Sequence, residues 1–407
     1  MSGRRNSNTD APDFDPYSPE FAADPYPVYT KLRETSPVFR SDALGMTCLT
    51  RHRDVFRALT DRRLARAFKG MTEARATGEW PYYDRYVRVN LLETEGETHT
   101  RLRRLLGAAL TPKRVNDLAA RVQAVANDLL DGIEAGSEVD FIAAIAEPLP
   151  VTVISELLGW PTEERHRLRP WSADIVRPYE KNASRTDFER AETACREFAR
   201  MLGDLAALRY RKPEADLISA LAALRDEPDG LSADELIANC MLLLNAGHEA
   251  TVNAAGNGLL ALLRHPEALQ RLRAQPEWLD SAIEEMLRYD APLHLFHRFA
   301  LEDMTIAGRA VRQGEMIGLL YGSANRDPEV FPDADRFDIG RSPNRHLGFG
   351  AATHFCLGAP LARLELRTLF RTLLQRMREI ERVDEKPEYR TGLVFRGLRR
   401  LRIRCRS

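Results

Sequence analysis

The sequence has no CxxC pair, no long apolar run, no internal repeat and no excess of charge of either sign. Its five cysteines, Cys48, Cys195, Cys240, Cys356 and Cys405, are odd in number and widely scattered. That excludes a disulfide framework and suits a reducing compartment. No segment approaches the roughly 18 apolar residues that span a bilayer, and the opening MSGRRNSNTDAPDFDP has no apolar signal-peptide centre. A soluble, cytoplasmic protein with no membrane anchor is expected. The formal net charge of -1 argues against a nucleic-acid binder, since phosphate recognition needs a positive excess or patch. No flavin or nicotinamide module is recognisable. What the chain does hold is apolar material, 44% of its 407 residues, enough for a large core.

Residues 1–15, rich in Ser, Asn, Asp and Pro, read as a disordered tail. Residues 16–407 read as a single domain, with ordered structure from near Asp24. Val38 to Asp42 and Met46 to Thr50 flank Gly45 as a hairpin, and a helix begins at His52 and runs to Thr60. Helical periodicity dominates from Thr98 to Asp290. Strands follow from Arg298 to Tyr321, with turns at Gly308 and Gly314, and Leu393 to Arg404 is predicted as a last hairpin. The longest helix is expected over Ala233 to Arg264, started by a Ser232/Glu235 capping box and stopped by Pro266. Its stretch Leu236 to Ala246 is apolar on nearly every face, so it should cross the interior. Gly247 inside it costs about 1 kcal/mol relative to alanine, which predicts a kink or a close approach by another group.

The stretch His346 to Gly358, HLGFGAATHFCLG, sets one cysteine among glycines and aromatics just before a helical pattern over Ala359 to Arg378, with Pro360 near its start. A sulfur ahead of a helix N-terminus meets unpaired N–H groups and the positive end of the dipole, which favour thiolate. Gly350 and Gly358 let the backbone turn and a flat ligand approach, while Phe349 and Phe355 would exclude water. This setting suits a metal-bound thiolate. Phe349-Gly350, His354, Cys356, Gly358, Ala359-Pro360 and Ala362-Arg363 together resemble the haem-binding loop of the cytochrome P450 haem-thiolate monooxygenases. Ala352 stands where that family commonly has glycine.

The resemblance implies a cytochrome P450 fold, mainly α with small β-sheets, over Asp24 to Arg404. It implies haem b (iron protoporphyrin IX) with Cys356 as the axial metal ligand, pushing electron density onto iron. The implied activity is that of an oxidoreductase of secondary metabolism, a monooxygenase that inserts one oxygen atom from O2 into a hydrophobic small molecule. Ala246 to Thr251, AGHEAT, resembles the family's oxygen-activating segment, with Glu249 as its acid and Ala250 in place of its threonine. Thr251 cannot take over, because one step along a helix turns a side chain by about 100°. The proton routes left open are ordered water, a substrate hydroxyl, or Asn245, four residues before Glu249 on the same face. His248 is expected to make a structural hydrogen bond. By the same resemblance His99, Arg103, Arg298 and His346 hold the haem propionates, His354 supports the loop, and Glu285, Arg288 and Arg336 form a buried ion triad.

Positional resemblance places the substrate among Val87, Val89, Leu91, Leu92, Leu242, Leu293, His294, Val394 and Phe395, with Asn245 and Ala246. This lining is mainly apolar, with Asn245 and His294 as polar handles. Trp80, Tyr82, Tyr83 and Trp171 are candidates for an entrance. Arg101, Arg104, Lys113, Arg114, Arg363 and Arg367 would present a positive face to an acidic ferredoxin or flavodoxin, itself served by a reductase. A monomer is expected. Competing readings are a peroxygenase or rearrangement enzyme, motivated by Ala250, a haem sensor or hydrophobic-ligand carrier, and a zinc hydrolase using His346, His354 and Cys356.

Overall fold

The computed structural model describes residues 14–67, 78–134 and 136–406. Strands β1 (Val38–Ser41) and β2 (Met46–Leu49) form the expected antiparallel hairpin, turned by Gly45 at a φ of 65°. With β3 (Leu64–Ala65), β5 (Leu295–Ala300) and β8 (Met316–Leu320) they make a sheet of order β1-β2-β8-β5-β3, in which only β2 and β8 run parallel. Gly308 turns the small ladder of β6 (Met304–Ile306) and β7 (Arg309–Val311).

Two expectations fail at the chain ends. Residues 1–13 of the expected tail lie outside the described residues, but order begins well before Asp24. Ser18 caps a helix at Pro19–Ala23, and Phe14 packs edge-on against Phe21 and Phe39. The C-terminal residues do not form a hairpin with one another. β11 (Leu398–Arg400) pairs with β10 (Glu388–Tyr389), whereas β12 (Arg402–Arg406) lies between β4 (Glu138–Asp140) and β9 (Glu379–Arg382). The alternation that suggested a strand is real, since Ile403 and Cys405 are fully buried between arginines. Alternation fixes a strand's two faces but not its partners.

The helix Ala233–Arg264 is the central element, with both hydrogen bonds of the Ser232/Glu235 capping box in place. Gly247 neither breaks it nor admits a close neighbour, because a methyl there would meet its nearest atom, in Ile154, at 3.9 Å. Tight packing occurs two turns later instead. A methyl on Gly256 would come within 2.6 Å of Ile142, and one on Gly258 within 2.7 Å of the Met286 sulfur. These glycines let a neighbouring helical segment and the helix Leu279–Tyr289 press against the backbone. Of the candidates for an entrance, Trp80 and Tyr83 lie on Phe188 and Trp171 stacks on Phe198.

Candidate active site

The cysteine loop is held at both ends. Cys356 donates its N–H to the Phe349 carbonyl at 2.9 Å, and the helix Ala359–Arg376 starts three residues on, with Pro360 in its first turn. Gly350 turns the loop at a φ of 68°, and Ala352, without glycine's freedom, holds a φ of 57°. The sulfur is exposed, yet protein surrounds it closely enough that burial pushes the thiol up. The N–H groups of Gly358 and Ala359 and the charges of Arg103 and Arg363 pull the other way, toward thiolate.

Two ion clusters brace this loop. Glu285 and Arg288, both fully buried, form a bidentate pair at 2.7 and 2.8 Å. The third member is Arg341 and not the expected Arg336. Arg341 reaches Glu285 at 3.2 Å, whereas Arg336 turns its side chain to solvent and offers only its carbonyl, to Arg288 at 3.1 Å. Arg341 also donates to the carbonyls of Pro332, Asp333 and Arg336, so it clamps the turn that carries Arg336. The second cluster was not foreseen. Glu284 accepts both Arg363 nitrogens at 2.7 Å and faces His346 Nε2 at 3.0 Å. Burial opposes its charge, but Arg363 and His346 win and hold its carboxyl at about 2. Arg363 also lies 4.4 Å over the Phe349 ring.

His346 is therefore engaged away from the remaining expected propionate partners. His354 is the loop histidine that lies beside them: its ring lies 4.3 Å from that of His99, and its Nε2 faces Glu95 at 2.9 Å. The bends at Gly350 and Ala352 separate the two loop histidines, which spacing along the chain does not reveal. Arg103 reaches the Phe355 carbonyl at 2.8 Å, and Arg298 is almost wholly buried. His99 has a buried Nε2 without a hydrogen-bond partner among the described residues, and burial together with His354 lowers its pKa to about 4. Burial therefore favours its neutral form. Arg66, also outside the expected set, joins this group through Glu93 and through Glu95, which accepts its N–H at 2.6 Å.

On the central helix, Leu242, Ala246 and Ala250 form one accessible stripe four residues apart, while Asn245, Glu249 and Thr251 are buried. Thr251 thus lies off the open face, as one helical step requires. Glu249 accepts from Arg390 at 3.3 Å, Arg390 donates at 3.1 Å to Glu147, and Arg169 donates at 2.8 Å to Glu147 from the outer side. Burial raises the Glu249 pKa, with Arg390 opposing. His248 makes no hydrogen bond through either nitrogen among the described residues, contrary to expectation, and burial holds it neutral with a pKa of about 4. Asn245 likewise keeps a buried, unpartnered Oδ1.

Of the expected lining, Val89, Leu92, Leu242, Leu293, Val394 and Phe395 keep accessible surface, and Val87 and Leu91 are buried. His294 is not an open polar handle. It is 2% exposed, with Nδ1 3.1 Å from the Tyr29 hydroxyl. Phe395 bridges to Leu293, and the Glu180 carboxylate accepts the N–H groups of Leu393 and Val394, fixing this turn. A surface groove of about 420 Å³, lined in part by Trp171, Asp174, Arg190 and Glu197, shares no residue with this lining. Of the expected basic face, Arg101, Arg363 and Arg367 are ion-paired with Glu235, Glu284 and Asp280. Among the described residues His346, His354 and Cys356 do not converge as a metal-binding trio, and no helix is long and apolar enough to cross a membrane.

A family model described as Cytochrome P450 matches residues 185–399. The polyketide biosynthesis cytochrome P450 PksS of Bacillus subtilis is 37% identical over 401 residues, covering 96% of this chain and 98% of that protein. The 6-deoxyerythronolide B hydroxylase of Saccharopolyspora erythraea is 37% identical over 415 residues, covering 97% and 99%. Among solved structures, P450BioI in complex with a hexadec-9Z-enoic acid ligated acyl carrier protein has a TM-score of 0.89 at 34% identity, covering 95% of this chain and 100% of that one.

Proposed function

The chain belongs to the cytochrome P450 family, and from this premise we propose that it oxidises a hydroxyl-bearing molecule of polyketide type, whose own hydroxyl helps to carry the proton that Ala250 cannot. The family is one of haem-thiolate monooxygenases, so the enzyme inserts one atom of O2 into a hydrophobic small molecule with electrons from a separate redox partner. Haem b, when bound, supplies dioxygen reduction and oxygen transfer. The donor set fits it: an accessible sulfur at a helix N-terminus, an orphaned buried His99 Nε2 and a buried Arg298. Cys356 would ligate the iron, with Phe349, Gly350 and Gly358 shaping the loop around it. His99, Arg103, Arg298 and His354 would hold the propionates.

The observation that carries the proton reading is the open stripe of Leu242, Ala246 and Ala250, which has no hydroxyl, with Glu249 buried beside it. Glu249, its pKa raised by burial, holds a proton more readily than an exposed acid and is linked outward through Arg390 and Glu147. Asn245, with its unpartnered oxygen, positions what passes between Glu249 and the pocket. Relatives named for polyketide biosynthesis and for 6-deoxyerythronolide B hydroxylation support the substrate class. Leu293, Val394 and Phe395 would line one wall, with Val89 and Leu92 on another. An acidic ferredoxin or flavodoxin, served by its reductase, would dock near Arg104, Lys113 and Arg114. The same reading takes residues 16–407 as one catalytic domain, acting as a cytoplasmic monomer.

Ligands that displace water from the iron identify the substrate class through the haem low-spin to high-spin shift. With a hydroxylated ligand and its deoxy analogue, product per electron consumed should fall for the analogue in the wild type and recover in Ala250→Thr. Equal coupling in all four combinations would show that the missing threonine hydroxyl is not limiting.

A further inference from the structure

Two buried arginines converge on one backbone oxygen beside the expected propionate partners. Arg66 and Arg298 are 4% and 2% exposed, and each donates from Nη1 to the His297 carbonyl at 3.1 Å. Their guanidinium carbons lie 4.3 and 5.4 Å from the centre of the same Phe296 ring. Like charges this close in a low-dielectric setting repel strongly. Burial lowers the Arg298 pKa, and Arg66 adds to that effect.

Tyr321, Glu95 and Glu93 oppose that lowering, but neither carboxylate hydrogen-bonds Arg298. Glu93 pairs with Arg66, and Glu95 is taken up by His354 and by the Arg66 N–H. Arg298 forms no ion pair among the described residues, and the only hydrogen bond of its side chain there goes to the His297 carbonyl. Arg66 Nε and His99 Nε2 are both buried without a partner among the described residues. A buried donor left unpaired is costly, and a guanidinium suits a planar carboxylate in particular. We propose that Arg66, with Arg298, is a haem-propionate partner, so that a carboxylate arm of the cofactor would accept from Arg66 Nε and from the guanidinium of Arg298 that no carboxylate among the described residues takes up. This rests on the haem reading of Cys356. The competing role for Arg66 is mechanical, tying the Glu93 to Glu95 stretch to β5.

Haem b and haem dimethyl ester, which lacks propionate charge, distinguish the two roles. Wild-type, Arg66→Gln and Glu93→Gln chains are loaded with each, and transfer to excess apomyoglobin and the reduction potential are measured. Arg66→Gln should release haem b about tenfold faster than wild type, the loss of one charge-assisted hydrogen bond, and shift its potential, yet release the ester at the wild-type rate. Glu93→Gln should leave haem b release unchanged or slower. Equal acceleration of both cofactors by Arg66→Gln, or a Glu93→Gln chain that matches it, overturns the proposal in favour of the mechanical role. If the reduced carbon monoxide complex of the wild type lacks a red-shifted Soret band, the thiolate-haem reading fails, and the proposal with it.

Discussion

Ala352 holds a φ of 57°, in a region where a Cβ crowds the following carbonyl. The cost is about 1–2 kcal/mol. Glycine would relieve it, at the expense of a looser unfolded chain worth about 0.4–1 kcal/mol. Ala352→Gly should therefore stabilise the haem-loaded protein by about 0.5–1 kcal/mol in urea denaturation, with the Soret spectrum unchanged. A neutral or destabilised variant would show that the loop tolerates the methyl without strain. The substitution was legible in the sequence, since Ala352 stands where the resembling loop has glycine, but the backbone angle that gives it meaning was not. Ala250 is the reverse case. Its neighbour Thr251 is buried and Ala250 is not, which follows from helical geometry alone.

At the scale of elements, helix starts and stops were written plainly: Ser232, Glu235 and Pro266 bound the central helix where expected. Contacts between distant segments were not. Glu285 and Arg288 are neighbours on one helix, so spacing found them; the cation that completes the cluster comes from another segment, and local pattern cannot choose between Arg336 and Arg341. The structure chooses Arg341, whose side chain is 8% exposed and donates to Glu285 and three carbonyls. Arg341→Gln should cost about 3 kcal/mol or more, because a buried carboxylate loses its second cation. Arg336→Gln should stay within about 0.5 kcal/mol of wild type. Denaturant midpoints of the two variants test the assignment, and equal losses would refute it. The His346 and His354 exchange has the same origin: both lie in one loop, and only its bends decide that His354 meets His99 while His346 meets Glu284.

Across the whole molecule, buried groups that stay neutral set a pH window for stability. His248 and His294 have pKa values lowered to about 4 and about 3, burial being the main cause in both. Between those values and the ordinary 6.5, the unfolded chain binds protons that the folded one refuses, so stability falls as pH drops. Glu365, inside the helix Ala359–Arg376, has the opposite sign. Burial alone raises its pKa from 4.5 to about 8, so from 4.5 upward the unfolded chain gains by ionising while the folded chain stays protonated. Its contribution is intact below 4.5 and lost progressively up to about 8, at about 1.4 kcal/mol per pH unit. The two limbs meet near neutrality, where the histidine term ends and the Glu365 term is still running. Glu365→Gln keeps the shape and removes the titration, so the slope of unfolding free energy against pH between about 6.5 and 8 should become less negative by about 1.4 kcal/mol per unit. The slope below 6 should change in the same sense, leaving its histidine part in place. Urea midpoints of the haem-loaded chains across that range measure both, and parallel wild-type and variant profiles would show that Glu365 is already ionised in the folded protein.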